Sequence, residues 1–385
     1  MVNTLSHIGI GLLLAHALGL KGRKRLGLVL LSIVPDIDYF SYSLFTLISG
    51  SVSHEARNQL FYLLGHRELT HSVFFAVILA VLIWIKTRDR TYTFGGFLAV
   101  FLHSFLDYTT SAKMRPFYPF SLNESALRAI YPFDPVVNVI PLLPLFIVAA
   151  EYIKSRGVRK YKKKHAWNIK DLYPWDLKIR GKWSVRDRDV WDRRLKRLNI
   201  FHSFVNRNEG KFYASFIIVL LIWTTMFPVA KIFLIDRISR TEGTEISYND
   251  TYPISTGKFL AAYPADDSRY KLLEISYWAG VEKSFYVDRV TVEGDVPDAS
   301  RYAERAGNLY SNSVPQAIDY PVYSVSEKDG AVTVILSDAR NPYVKKWPYF
   351  DTVYRFVFDR ESRDYEVYES HYGRPEKKLD KNYFE

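Results

Sequence analysis

Residues 66 to 72 read His66-Arg67-Glu68-Leu69-Thr70-His71-Ser72, which sets two imidazoles, a guanidinium, a carboxylate and two hydroxyls within seven positions. An apolar run, Val73 to Ile85, follows at once. Such polar density at the mouth of a hydrophobic helix costs stability unless something binds there. A divalent metal is the expected occupant, and further donors stand at three other helix ends. His7 opens an apolar run, Leu5 to Leu20. Asp36 and Asp38 flank a turn that ends the run Leu26 to Val34. His103 and Asp107 close the run Phe94 to Leu106, and four apart on a helix they share one face.

The chain of 385 residues has no cysteine, so a metal site must use His, Asp or Glu. The candidate ligands are His7, Asp36, Asp38, His66, His71, His103 and Asp107. Imidazole and carboxylate donors suit zinc first, then Mn, Fe or Mg, and seven candidates allow one ion or two. Such an ion acidifies a bound water and polarises a phosphoryl or carbonyl oxygen. Glu68 is a candidate general base or ligand, or else a solvated loop carboxylate. Arg67 and Arg115 offer phosphate contacts, or face lipid headgroups. Glu68 and Arg67 are therefore the catalytic candidates. The bland alternative, scattered polar residues in helix contacts, fits His7 taken alone. It fits poorly where His66, His71, Asp36 and Asp38 occur together, because charges near a bilayer are expensive and tend to mark function. His16 is nine positions from His7, half a turn out of phase, and reads as a helix contact. His54, His165, His202 and His371 read as surface residues.

The elements that must hold these donors are mostly apolar helices. Nearly half the residues are hydrophobic and 16% are aromatic, yet mean hydropathy is close to zero, which reflects a mixture of regions. The expected fold class is an α-helical polytopic membrane domain, of about six transmembrane or membrane-embedded helices, followed by a mostly β soluble domain. Residues 1–153 form the metal-site helical domain, 154–211 a basic loop, 212–236 a transmembrane helix and 237–385 the β-rich domain. Leu26 to Val34 rises only about 14 Å, so its turn sits partway into the bilayer or the helix bends at Pro35 and continues through Ile48. A short helix is expected around Glu55–Leu64. Pro141 and Pro144 should kink Val136–Ile153, and Phe212–Ile235 is the cleanest span, with Lys231 near its end able to snorkel. Beyond 236, Lys271–Trp278, Val290–Val292, Ala331–Leu336 and Thr352–Phe358 alternate as strands, with one helix near Ala299–Leu309.

Charge orients the chain. Residues 154–211 carry 19 Lys/Arg against 6 Asp/Glu, while the whole chain nets +11, so the remainder sums to about −2. Beside a transmembrane helix this reads as a cytoplasmic loop contacting anionic lipid headgroups rather than nucleic acid. The basic turns 21–25 and 86–90 fall on the same side if helices alternate. The N-terminus, the segments 36–70 and 107–135 and the β domain fall on the other, and every candidate ligand lies at that extracytoplasmic end. The first positive charge, Lys21, follows the first apolar run, the reverse of a cleavable signal peptide.

The order His7-x-x-x-Gly11, Pro35-Asp36-x-Asp38, His66-Arg67-x-x-Thr70-His71-Ser72, His103-x-x-x-Asp107 resembles the membrane-bound metal-dependent hydrolases, also described as LexA-binding, inner-membrane-associated hydrolases. The likeness covers roughly residues 1–150. It implies a multi-pass protein of the plasma (inner) membrane with a divalent metal site. A distant likeness to zinc-dependent phospholipases C adds phosphoesters as a substrate class. The family pattern has Gly where this chain has Glu68, which resists the backbone angles that Gly allows.

The expected function is a metal-dependent hydrolase acting on a lipid or membrane-associated phosphoester, with membrane lipids as partners. The second reading is a non-enzymatic, metal-stapled membrane scaffold presenting a β binding domain. A metal transporter ranks last, because the fifth and sixth apolar segments are nearly free of charge.

Overall fold

The computed structural model describes residues 4–110, 113–147, 208–312, 318–328, 330–344, 350, 352–360, 364–370, 375–380 and 384. Its N-terminal part is helical: α1 (Thr4–Ala17), α2 (Gly22–Leu31), α3 (Asp38–Ile48), α4 (His54–Leu64), α5 (Val73–Thr87) and α6 (Arg90–Thr109). A short α7 (Pro135–Val139) runs on through the 3-10 turn Ile140–Leu142. Residues 154–207 of the basic segment, with His165 and His202, lie outside the described residues, as does His371.

Capping residues mark where these helices begin. Ser72, last in the polar stretch, accepts from the Phe75 N–H and starts α5. Asp89 does the same for α6 through the Tyr92 N–H, and it also pairs with Lys24, so the two basic turns meet. Asp134, followed by Pro135 at the first helical position, accepts from the N–H groups of Val136 and Val137. The core of this part joins Ile10, Leu14, Leu28, Ala99, Leu102 and Leu106 of α1, α2 and α6. Gly11 is part of that packing: a Cβ there would stand 2.8 Å from the Val29 Cα. Glycine lets α1 and α2 close together.

Only α8 (Glu209–Glu242), among the described residues, is by itself long and apolar enough to cross a membrane. Two bent pairs reach that length jointly: Gly22–Leu31 with Val34–Ile48, at 57°, and Glu55–His71 with Val73–Thr87, at 69°. Six transmembrane or membrane-embedded helices are therefore not shown; among the described residues Thr4–Ala17 and Pro135–Ile147 are apolar but shorter than about 30 Å of hydrocarbon requires.

With 34 residues α8 is about 51 Å long, so it outruns the bilayer and carries its end into the soluble domain. There Leu234, Ile235 and Ile238 join Phe259, Leu273 and Ile275 in one core. The first sheet is an antiparallel meander, β1 (Thr251–Ser255), β2 (Lys258–Pro264), β3 (Arg269–Ser276) and β4 (Gly280–Asp288). The second has the order β10-β9-β8-β7-β6-β5 and contains β5 (Val290–Glu293), β6 (Pro321–Lys328), β7 (Ala331–Asp338), β8 (Val353–Asp359), β9 (Tyr365–Ser370) and β10 (Lys377–Leu379). β5 runs parallel to β6, and α9 (Ala299–Ser311) is the crossover between them. Ala299, Ala303, Ala306 and Tyr310 are the buried face of α9, packed with Val334, Phe356 and Phe358. The helical N-terminal part and mostly β C-terminal domain match the expected class.

The two parts are pinned together. Lys231 does not snorkel; it is fully buried, and its ammonium donates to the carbonyls of Leu127, Arg128, Tyr248 and Thr251 at 2.9–3.3 Å. Asp134 accepts from Trp223 Nε1 at 3.1 Å and from the Thr256 hydroxyl at 3.0 Å. Asp319 meets Lys113 at 2.5 Å, Arg340 at 3.0 Å and Arg128 at 3.4 Å. Burial alone would raise the Asp319 pKa, but these three cations outweigh it and hold the carboxyl well below the usual range. A carboxyl depressed on folding stabilises above its unfolded pKa, near 4, and that stability is lost as pH falls toward the folded value. Acid should therefore loosen the joint below about pH 4. In Asp319→Asn this pH-dependent step should shrink, as read by thermal melting across pH 3–6.

Candidate metal centre

The centre forms where α1 begins, α2 ends, α5 begins and α6 ends. His103 has no exposed surface, and its Nδ1 is 2.7 Å from the Ser32 carbonyl oxygen. A carbonyl only accepts, so Nδ1 carries the proton and Nε2 presents a lone pair. That Nε2 lies 3.4 Å from Asp36 Oδ1. The other Asp36 oxygen accepts from the Thr4 hydroxyl at 3.2 Å. His7 stacks on His103 with ring centroids 3.7 Å apart, and His7 Nε2 is 3.6 Å from Asp107 Oδ1. His71 Nε2 is 3.9 Å from Asp107 Oδ2.

Two overlapping groups result: His7, His103 and Asp107, and Asp36, His71 and His103, each with donor atoms within 4.8 Å of one another. The Nε2 atoms of His7, His71 and His103 and the Oδ1 of Asp107 are buried without a hydrogen-bond partner among the described residues. Orphaned buried polar atoms are costly. Here they converge at 3.4–3.9 Å, too long for hydrogen bonds and close to the spacing of about 3.3 Å between ligands 2 Å from a tetrahedral ion. The donor chemistry and the orphaned atoms both fit a divalent cation.

Asp38 and His66 stand outside both groups. Asp38 Oδ1 meets His66 Nδ1 at 2.6 Å; Oδ2 accepts from the Arg67 N–H at 2.9 Å and the Thr70 hydroxyl at 2.7 Å, and lies 3.1 Å from His71 Nδ1. Asp38 thus holds the whole stretch from His66 to His71 and turns His71 Nε2 toward Asp107. Carboxylates commonly orient ligating histidines in this way. His66 stacks on Tyr39 at 4.1 Å, keeps 17% of its side chain exposed, and leaves Nε2 without a hydrogen-bond partner.

Arg67 Nη2 donates to Asp107 Oδ2 at 3.0 Å. The positive φ of the loop, 70°, falls at Arg67 and not at Glu68, whose φ is −93°. Glu68 is buried, and its Oε1 accepts from Arg115 Nη1 at 2.5 Å. Arg115 also reaches Glu124 at 2.6 Å and lies over the Tyr62 ring. His16 packs against Tyr213, apart from the cluster, as a helix contact.

Three contributors are not singled out in the sequence: the Ser32 carbonyl, Thr4 and Tyr39. Tyr39 directly follows Asp38, so it was within reach. A backbone carbonyl carries no residue-type signal. An apolar crevice between α1, α6 and α8 is lined by Ile10, Leu13, Leu102, Leu106, Leu220 and Leu221, and by none of the donor residues. Leu102 and Leu106 adjoin His103 and Asp107 in sequence.

A family model described as YdjM inner membrane protein matches residues 1–231. No curated protein and no solved structure matches the chain.

Proposed function

We propose that this chain, which belongs to the YdjM inner membrane protein family, is a metal-dependent hydrolase of a lipid or other membrane-associated phosphoester. The observation that carries the reading is the convergence of buried, unpartnered donor atoms from four helix ends. A divalent ion bound there, zinc before Mn, Fe or Mg, would supply Lewis acidity to a phosphoryl oxygen and lower the pKa of a water. His7, Asp36, His71, His103 and Asp107 are the residues that would hold it, in the two overlapping groups that share His103. Because His103 Nδ1 is committed to Ser32, only one of its nitrogens is free, which favours one ion over two. Asp38 orients His71. Arg67, beside Asp107, is placed to pair with phosphoryl oxygens.

His66 is the best-placed proton carrier: Asp38 fixes one nitrogen, the other is free, and the ring is partly exposed. Glu68, paired with Arg115 through Oε1, supports the loop, and its Oε2, buried without a hydrogen-bond partner among the described residues, keeps it as the second candidate for the base. The charge pattern supports a multi-pass arrangement with residues 154–211 cytoplasmic, touching anionic lipid, and the centre and β domain outside. The metal-stapled scaffold becomes the better reading if five protein donors close the ion off.

Purified, metal-loaded protein offered phospholipids and phosphodiesters should release phosphate or phosphomonoester products. His66→Gln should lower that rate about 10²-fold or more without changing metal content. No turnover of any phosphoester by the loaded protein would leave the scaffold. Full activity in His66→Gln would remove the proton role alone.

A further inference from the structure

We propose that α3 is an interfacial helix lying in the plane of the headgroup–acyl boundary, with its outward stripe seated on lipid, and is not the second half of a membrane crossing. The stripe is Ile37, Phe40, Leu44 and Leu47, at three- and four-residue spacing, with Phe40 81% and Leu47 80% exposed. Asp38 and Phe45 are buried on the other side. Along one flank run Tyr39, Ser43 and Thr46, so the exposed surface divides into an apolar stripe and a polar edge, as an in-plane helix requires.

What covers the buried side decides the orientation. Phe45 packs on Phe61 of α4 with ring centroids 5.6 Å apart. That helix exposes Glu55 and Gln59, which the bilayer core would not tolerate. Its Arg57 donates to the Asn312 carbonyl at the end of α9, in the soluble domain. Tyr42 of α3 lies within electrostatic reach of Glu369 in β9. Polar protein therefore lies against one side of α3 and, among the described residues, nothing lies against its apolar stripe. The bend of 57° between Gly22–Leu31 and Val34–Ile48 turns the chain from one direction to the other. The exposed apolar face of α5, with Val77, Val81 and Leu82, makes lipid the neighbour of this end of the molecule.

The consequence is positional. Asp36 and the Tyr39–His66 stack sit at the head of α3, which sets the mouth of the centre at headgroup depth. The substrate would then be the headgroup of a lipid resident in the bilayer. That consequence rests on the hydrolase reading; the placement of α3 does not.

The chain has no cysteine, so nitroxides can be attached singly to Ile37→Cys, Phe40→Cys, Leu44→Cys and Leu47→Cys in the full protein in liposomes. Depth is read from oxygen against nickel-chelate accessibility, with Ser43→Cys as the flank control. The expected result is oxygen-dominated accessibility at all four stripe positions, at one shallow depth within about 5 Å. Position 43 should favour the chelate. An upright helix would separate positions 40 and 47 by about 10 Å along the normal, and that result overturns the proposal. Chelate-dominated accessibility at all four positions, or exclusion of both reagents by a covering protein, overturns it equally. Phosphoesterase activity plays no part in the readout, so failure here and failure of the hydrolase reading are distinguishable.

Discussion

His103→Ala should leave the purified protein unable to retain a divalent ion, while the wild type, loaded with zinc, should hold close to one per chain. His103 is the residue common to both donor groups, so its loss leaves His7 with Asp107, and Asp36 with His71, joined only where His71 Nε2 lies 3.9 Å from Asp107 Oδ2. No neighbour can replace it. Its Nε2 is aimed by the Ser32 carbonyl on the far side of the ring, and His103 itself has no exposed surface. Single substitutions of His7 or Asp36 remove a member of one group only and should weaken retention less. Asp38→Asn provides the internal comparison. It belongs to neither donor group but orients His71 from 3.1 Å, and changes to such outer partners typically cost about 10–100-fold in metal affinity. The expected order of zinc content by elemental analysis, after dialysis against a weak chelator, is wild type, then Asp38→Asn, then His103→Ala near zero. Wild-type protein that holds no ion under zinc, manganese, iron or magnesium loading would end the metal reading. Equal retention by His103→Ala would move the site elsewhere.

Much of that centre was legible because residue type and spacing carry it. His103 and Asp107, four apart, could only share a helix face, and both are buried in the cluster. Gly11 in the motif is explained by the close approach of α1 to Val29, which brings the Ser32 carbonyl into range. What spacing does not encode is the division of labour between two nearby carboxylates. Asp36 and Asp38 are equivalent in sequence. A 3-10 turn, Val34–Ile37, leaves Asp36 facing His103, whereas Asp38, on the first turn of α3, faces His66 and His71. The β domain was legible through alternation in β7 and β8, whose buried residues fall at every second position. The parallel pairing of β5 with β6 was not, since it depends on a crossover through α9. Hydropathy likewise counts apolar runs without reporting that two of them bend at Pro35 and at the polar stretch.

Lys231 is where hydropathy misled most, and its replacement carries the second large expected effect. Read along the chain it is a lone charge toward the end of a span, suited to snorkelling. In the fold its ammonium reaches four carbonyls that belong to three segments: Leu127 and Arg128 after α6, Tyr248 after α8, and Thr251 opening β1. It also lies 3.9 Å from the centre of the Tyr248 ring. Lys231→Met keeps the apolar stem and removes every donor. Two terms then oppose each other. Removing a buried charge relieves its desolvation, while the carbonyls lose a charge-assisted partner at the cost of about 1–3 kcal/mol for each left unsatisfied. With four carbonyls gathered around one ammonium the second term should win, by about 3 kcal/mol. The melting midpoint in detergent should fall by several degrees, and proteolysis between residues 243 and 250, where the helix hands over to the first sheet, should accelerate. Lys231→Arg should lose less, since it keeps a charge but its planar fork cannot reproduce contacts made around a single nitrogen. A Lys231→Met protein as stable as the wild type would mean that the carbonyls find water instead, and that the joint is held by Asp134 and Asp319 without this cation.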